Sequence, residues 1–462
     1  MSDPDARTEE KLTRAVETQD DSSIKELAED LHPADLAEFL VDLPEEEKDT
    51  LLTALPEETI ADAAEHLSPT EVDETLAKLP TAKQREVLDD LPDDELVDLL
   101  QEVPEPRQEE YISLLSEPKK AVSSDLLQYP EATAGGRMTT ALATVQPDMT
   151  VRDAIDSLRQ IRESTEILSR IFVVDDAARI LGKIRLRDLT FAPRGTLIQD
   201  IMDDDTTSIN ANADQEEAAQ MIAKYDLMLL PVVNQKMQLI GVITHDDAIE
   251  ILEEESTEDM ERMSGIARGG EDEDYLQIPV VGHFKKRFLW VLILALLALL
   301  SGWVLLENEE IFKPFYVLSL YLPMVVAAGG NTGAQSATAV IRAMALGELD
   351  SGSFFRVVWK ELRIGIIIGV LLGICIALQV RFLLPETIVD GSSISPLNIA
   401  LIVGISLTVQ VTSSTLFGAL LPLIARSLRL DPAVVASPAI TTLVDVSGMV
   451  IYFGVAKFLL QI

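Results

Sequence analysis

Cysteine is all but missing from this chain. One occurs, Cys375, inside an apolar run. That excludes an intramolecular disulfide and any metal cluster built on paired thiolates. Histidine is nearly as scarce: His32, His66, His245 and His283 are all there are. None lies in a long apolar segment and no two have metal-ligand spacing, which argues against a zinc or other soft-metal conduit. Bases are short as well, 37 Lys and Arg against 77 Asp and Glu. A chain so poor in basic residues does not suit nucleic acid. The opening "MSDPDARTEEK" has neither a basic start nor an apolar core, so no secretory leader is expected.

What is abundant is acid, and it is unevenly spread. Residues 281 to 462 hold ten acids and twelve Lys or Arg; residues 1 to 280 hold 67 acids and 25 bases. The front is therefore an acidic soluble region, suited to binding cations or to a salt-rich cytoplasm. The back is near-neutral and apolar. A length of 462 residues allows about three domains.

Residues 24 to 104 repeat. Pro33, Pro44, Pro56, Pro69, Pro80, Pro92 and Pro104 recur every 11 to 13 residues, mostly after Leu or Ser. Each is expected to open a short helix within its first turn, where a missing N–H costs nothing. Units this short bury their apolar stripes only by stacking, which predicts a helical superhelix. A second repeat follows. "IFVVDDAARILGKIRLRDL" (171–189) aligns without gaps on "LPVVNQKMQLIGVITHDDA" (230–248), an offset of 59. Each copy predicts strand, turn, strand and helix, preceded by an amphipathic helix. The duplication resembles a tandem pair of CBS domains.

An acidic connector, 253–280, leads to five apolar segments near 288–306, 314–341, 364–384, 397–425 and 434–456. Each has the ~20 residues a hydrocarbon core requires. Lys285, Lys286, Arg287, Arg342, Arg356, Lys360, Arg363, Arg426 and Arg429 fall on one side of these spans; only Lys313 and Arg381 fall between spans on the other. The bias puts the N-terminal region in the cytoplasm and the C-terminus outside.

Three spans carry polar groups. The second has "GGNTGAQSAT" (329–338) and the fourth "TVQVTSST" (408–415), each readable as helix-packing glue or as a pathway lining. The fifth has "TTLVDVSG" (441–448), with Asp445 seven residues after Pro438. By these boundaries no other acid lies inside a span, so Asp445 is either protonated or neutralised by a cation. Carboxylate, hydroxyl, amide and carbonyl oxygens suit a hard divalent ion. Mg²⁺ gives up water reluctantly and one acid cannot replace six waters, so a hydrated ion shared with the Asp445 of a dimer mate is expected. Thr441 and Thr442, about one turn before Asp445, are placed to touch the ion's water shell or to pack helices.

Acidic helical repeats, a CBS pair, an acidic connector and five spans with "GGNTGAQSAT" and "DPAVVASPAITTLVDVSG" together resemble the MgtE family of magnesium channels and transporters. The resemblance implies a multidomain fold: an all-α superhelical N-terminal domain (1–130), an α/β tandem CBS pair (131–252), a connecting gate helix (253–280) and an α-helical membrane domain of five transmembrane helices (281–462). It implies no enzyme but a homodimer with a central Mg²⁺ pore in the plasma or inner membrane. Asp445 falls on the pore acid; Gly330, Asn331, Thr332 and Gly333 fall on the stretch packed along the pore. Regulatory Mg²⁺ in the family closes the pore through acids matching Asp94, Asp98, Asp214, Glu216, Asp226, Asp247, Glu250, Glu255, Glu258, Asp259 and Asp431. ATP binds the CBS pair of some members, where Arg187 and Asp188 match the ribose position. Ala334 and Ser437 depart from the family pattern. A proton-linked divalent carrier, or a metal or nucleotide sensor without transport, are the alternatives.

Overall fold

Leu-Pro junctions set the form of the N-terminal region. In the computed structural model ten helices run in sequence from Pro4–Thr18 to Glu117–Leu126. Proline disfavours helical backbone in the residue before it. Accordingly Leu43, Leu55, Leu79 and Leu91 each end a helix with ψ between 140° and 146°. Their side chains are buried, so the residue that stops one helix also fills the core beside the next. Pro33 and Pro69 occupy the first helical turn as expected. Pro44, Pro56, Pro80, Pro92 and Pro104 instead sit one position earlier, as N-caps. The extended N-cap accepts proline's fixed φ, and its N–H takes no part in the helical ladder. Helices two apart in sequence pack on each other along one continuous core, as a superhelix requires.

The structure describes residues 4–160, 169–204, 207–267, 278–312, 315–349, 352–383, 395–428, 430–432 and 438–461. Ser437, Lys313, Arg429 and part of the connector (268–277) lie outside them. By contacts the chain divides into two units, Met1–Glu255 and Ser256–Ile462.

Within the first unit the 59-residue duplication is visible strand by strand. Arg170–Val174 pairs antiparallel with Ile180–Arg185, and Leu229–Val233 pairs with Leu239–Thr244. A two-residue strand adds in parallel to each hairpin. The registers coincide: Val173 faces Gly182 as Val232 faces Gly241, with the same irregularity one residue later. The helices Val151–Leu158 and Gln215–Tyr225 precede the hairpins. After the second hairpin the helix His245–Met263 runs on for 19 residues.

The second unit contains five helices long and apolar enough to cross a membrane: Val280–Glu307, Tyr316–Ala345, Phe354–Phe382, Pro396–Ser427 and Ile440–Leu460. They are called spans 1 to 5 below. Span 4 is the most enclosed, with 61% of its apolar window buried, and spans 2, 3 and 5 pack against it. Span 3 begins ten residues before the expected edge. Its first turns carry Arg356, Lys360 and Arg363, and the charge hides them from a hydropathy window. That extension brings Glu361 into the helix and buries it, so Asp445 is not alone among span carboxylates.

Candidate ion-binding sites

The acids of the soluble unit converge where the helix Asp93–Glu102 meets the start of His245–Met263. Asp94, Glu95 and Asp98 come from the first; Asp247, Glu250 and Glu254 come from the second. Burial pushes the carboxyls of Asp94, Glu95, Asp98, Asp247 and Glu250 upward. Asp98 is raised to about 7 by burial, with Arg137 opposing. Glu250 is raised to about 7 by burial and then by the Asp247 charge. Asp94 stands well above its usual value through burial and Asp247. Glu95 does so through burial, then Asp94 and Asp98. Asp247 is raised by burial, although Thr244 hydrogen bonds oppose it.

One guanidinium enters this cluster. Arg137 bonds Asp98 at 3.1 Å, Gln215 Oε1 at 3.0 Å, and Glu254. It leaves Asp94 Oδ1 and Asp98 Oδ1 buried without a hydrogen-bond partner among the described residues. Orphaned carboxylate oxygens in an all-oxygen setting are the donor chemistry of a hard cation. Among the described residues, however, no three His, Cys, Asp or Glu form a ready-made metal cage. The acids face one another as a repelling surface.

The other predicted acids are dispersed. Asp214 caps the helix Gln215–Tyr225 through Glu216 N–H, and Glu216 accepts from Gln220. Glu255 accepts from Gln215 Nε2 at 2.6 Å. In the second unit Arg262 pairs with both Glu258 and Asp431. Asp259 is half-buried on the same helix.

A cavity of about 450 Å³ opens in the CBS pair. Its lining includes three acids, Asp188, Asp203 and Asp226, and three cations, Arg170, Lys183 and Arg185. Arg187 is not in the lining; its Nε lies 3.4 Å from Asp188. Burial, then Arg185 and Arg187, hold Arg170 below its usual pKa. Three cations beside three acids suit a ligand that carries both an anionic group and hydroxyl donors.

In the membrane unit, span 5 crosses span 2 at Gly333. A Cβ there would lie 3.1 Å from Ile440 and 3.4 Å from Val444. Ile440, Val444, Gly448 and Tyr452, four apart, form the buried seam of span 5. Asp445 and Thr441 follow one residue on; Asp445 is half-buried and Thr441 exposed. Among the described residues nothing hydrogen-bonds or ion-pairs with Asp445. On span 2, Asn331 and Gln335 are exposed one turn apart, and open space surrounds Gly330. Thr332 bonds back to its own helix at Ala328 and Gly329, and Thr442 is half-buried. Met263, at the end of the connecting helix, packs on Ala337, Ile341, Ile440 and Val444.

Comparison with known proteins agrees with this layout. The divalent cation transporter model of the MgtE family matches residues 322–455, the MgtE intracellular N domain 31–132, and the CBS domain 134–195 and 198–254. The magnesium transporter MgtE of Thermus thermophilus is 35% identical over 453 residues, 97% of this chain and 98% of that protein. The chain belongs to the MgtE family of magnesium transporters. The Bacillus subtilis MgtE is 31% identical over 72% of this chain and 70% of its own length. Two solved structures are similar to the soluble part. The cytosolic domain of the Mg²⁺ channel MgtE in complex with ATP is 34% identical, with a TM-score of 0.51, over 53% of this chain and 99% of that one. The soluble part of a magnesium transporter is 29% identical, with a TM-score of 0.52, over 55% and 99%.

In this MgtE-family chain the sequence reading found Asp94, Asp98, Asp247 and Glu250, which the fold brings together. It missed Glu95 and Glu254, one helical position from residues it named. It missed Arg137 and Arg262, because an isolated base in an acidic region carries no motif. It also missed the bases of the CBS cavity, although Lys183 and Arg185 alternate along one strand of the repeat it had aligned.

Proposed function

We propose that the chain is a homodimeric, Mg²⁺-selective uptake channel whose pore acid is Asp445, and that cytoplasmic Mg²⁺ restrains it through the soluble acids. The observation that carries this reading is the set of exposed polar residues on spans 2 and 5. Asn331 and Gln335 are exposed on span 2, and Thr441 is exposed one turn before the half-buried Asp445 on span 5. Polar groups turned toward lipid are costly, so such residues need water or a second subunit. A hydrated Mg²⁺ held through its waters suits one carboxylate per subunit.

For the sensor, Asp94, Asp98, Asp247 and Glu250 would hold the ion, with Glu95 beside them. Bound there, a divalent cation supplies the charge that lets these carboxylates ionise together. Without it their repulsion opposes packing of the helical domain on the second CBS copy. Asp214, Glu216, Asp226, Glu255, Glu258, Asp259 and Asp431 extend the acidic surface. The connecting helix transmits the state, since Met263 already packs on the seam of spans 2 and 5. The loop charges support a cytoplasmic N-terminal region and an external C-terminus. At the CBS cavity, Arg170, Lys183 and Arg185 suit the phosphates of ATP, and Asp188 suits a ribose hydroxyl.

The test is Mg²⁺ flux in proteoliposomes with Mg²⁺ on the soluble-domain side varied. Removing residues 1–252 should abolish inhibition while flux persists; retained inhibition would contradict the sensor. Buried Glu361, which accepts from Ser336 at 2.9 Å, favours a proton-linked carrier as the second reading. Dependence of flux on an imposed pH gradient would select it.

A further inference from the structure

Gln410, in the middle of span 4, is fully buried. Its Nε2 donates to the Val444 carbonyl at 2.9 Å. A carbonyl accepts only from the NH₂ end, so the amide orientation is fixed by chemistry. Its Oε1 is buried with no hydrogen-bond partner among the described residues. A half-satisfied amide is a poor packing group, because an apolar side chain would fill the same space without an orphaned oxygen.

Two glycines make room for it. A Cβ at Gly329 on span 2 would lie 2.3 Å from Gln410 Nε2, and a Cβ at Gly448 on span 5 would lie 2.7 Å from it. Gly329 opens "GGNTG", Gly448 closes "TTLVDVSG", and Gln410 is the amide of "TVQVTSST". The three polar motifs therefore meet at one side chain. Ser447 Oγ also donates to the Val444 carbonyl, at 3.1 Å. The bond from Gln410 holds the backbone one residue before Asp445. Higher on span 5, Tyr452 donates to the Leu318 carbonyl at 2.7 Å. Between these bonds span 5 has one rotational setting, with Val444 in the seam and Asp445 at its edge.

We propose that Gln410 is a positioning residue for the transported ion: it fixes the rotation of span 5, and so the aim of Asp445, without touching the ion. This rests on the reading of Asp445 as the pore acid.

The experiment measures Mg²⁺ flux against Mg²⁺ concentration in proteoliposomes of the full chain, with melting temperature in detergent. Four proteins are compared with the parent: Gln410→Met, Gly448→Ala, the two combined, and Asp445→Asn. Gln410→Met keeps the volume and removes the donor; Gly448→Ala adds a methyl against the amide. Each should raise the half-saturating Mg²⁺ concentration roughly tenfold, with maximal flux within about twofold. The combined variant should be no worse than either alone, because both changes break one bond. A fall in maximal flux and melting temperature at unchanged half-saturation would show a packing role and overturn the proposal. Additive effects would do the same. Normal flux in Asp445→Asn would overturn the pore-acid reading, and the proposal with it. Loss of flux in Asp445→Asn beside unchanged half-saturation in both single variants would overturn the proposal alone.

Discussion

The two units treat buried carboxylates in opposite ways. At the soluble junction six acids crowd around one guanidinium, and orphaned oxygens on Asp94 and Asp98 remain. Among the membrane helices, Glu361 and Asp445 lie far apart in chemistry. Glu361 accepts from Ser336 and is sealed from solvent, while Asp445 is half-buried and without a partner among the described residues. On the proposed function, crowding would make a surface whose closure depends on cations. Isolation makes a single charge that a passing ion can approach. Under that proposal the same ion would suit both places for different reasons: charge neutralisation in one, passage through a hydrated contact in the other.

Asp445 offers the sharpest way to break this contrast. Asp445→Ala should lower Mg²⁺ flux by about 100-fold, the scale set by loss of a group that orders a metal's water shell. The folded protein should persist, because no hydrogen bond is lost. Flux near the parent level would mean that Asp445 is a structural acid like Glu361.

Arg137 tests the crowded side. Arg137→Met removes the guanidinium and leaves Asp98 and Glu254 unpaired. Removing one partner of a buried pair costs about 3 kcal/mol, visible as a lower melting temperature without Mg²⁺. Added Mg²⁺ should restore more stability to this variant than to the parent, since it has more charge to neutralise. Equal Mg²⁺ stabilisation in both would mean that the Arg137 side of the junction is separate from the cation-responsive side.

Much of this was legible in the sequence because it is periodic. The prolines gave the superhelix, a gapless 59-residue offset gave two matching hairpins, and apolar length gave the spans. Five of the seven prolines were off by one position, because N-cap and first-turn proline look alike in a sequence. The edge of span 3 was hidden because charged helical turns look like loop to a hydropathy window. The sites divide similarly. Asp445 stands out against an apolar background. Arg137 and Gln410 do not, because their roles depend on partners 39 and 34 residues away. Sequence composition marks which groups are costly, while the contacts that make them tolerable are set by packing.

The smallest effect is a pH dependence that separates the two units. Asp98 and Glu250 are each raised to about 7 in the folded chain, against about 4 when unfolded. The charges facing Asp98 are Arg137, Glu131, Glu254 and Glu102; those facing Glu250 are Asp247, Glu254, Arg137 and Asp246. A raised carboxyl keeps its proton in the folded state where the unfolded state has released it. Stability therefore falls as pH rises from about 4 to about 7 and levels off above. Without Mg²⁺, the melting temperature of the soluble unit within the full chain should drop by several degrees between pH 5 and 8. Saturating Mg²⁺ should flatten that slope, because a bound cation favours the ionised form that high pH produces. Asp98→Asn with Glu250→Gln should flatten it without Mg²⁺, since neither amide titrates. A slope unchanged in that double variant would move the pH response to Asp94, Glu95 and Asp247 and leave the junction's acid crowding intact as its cause.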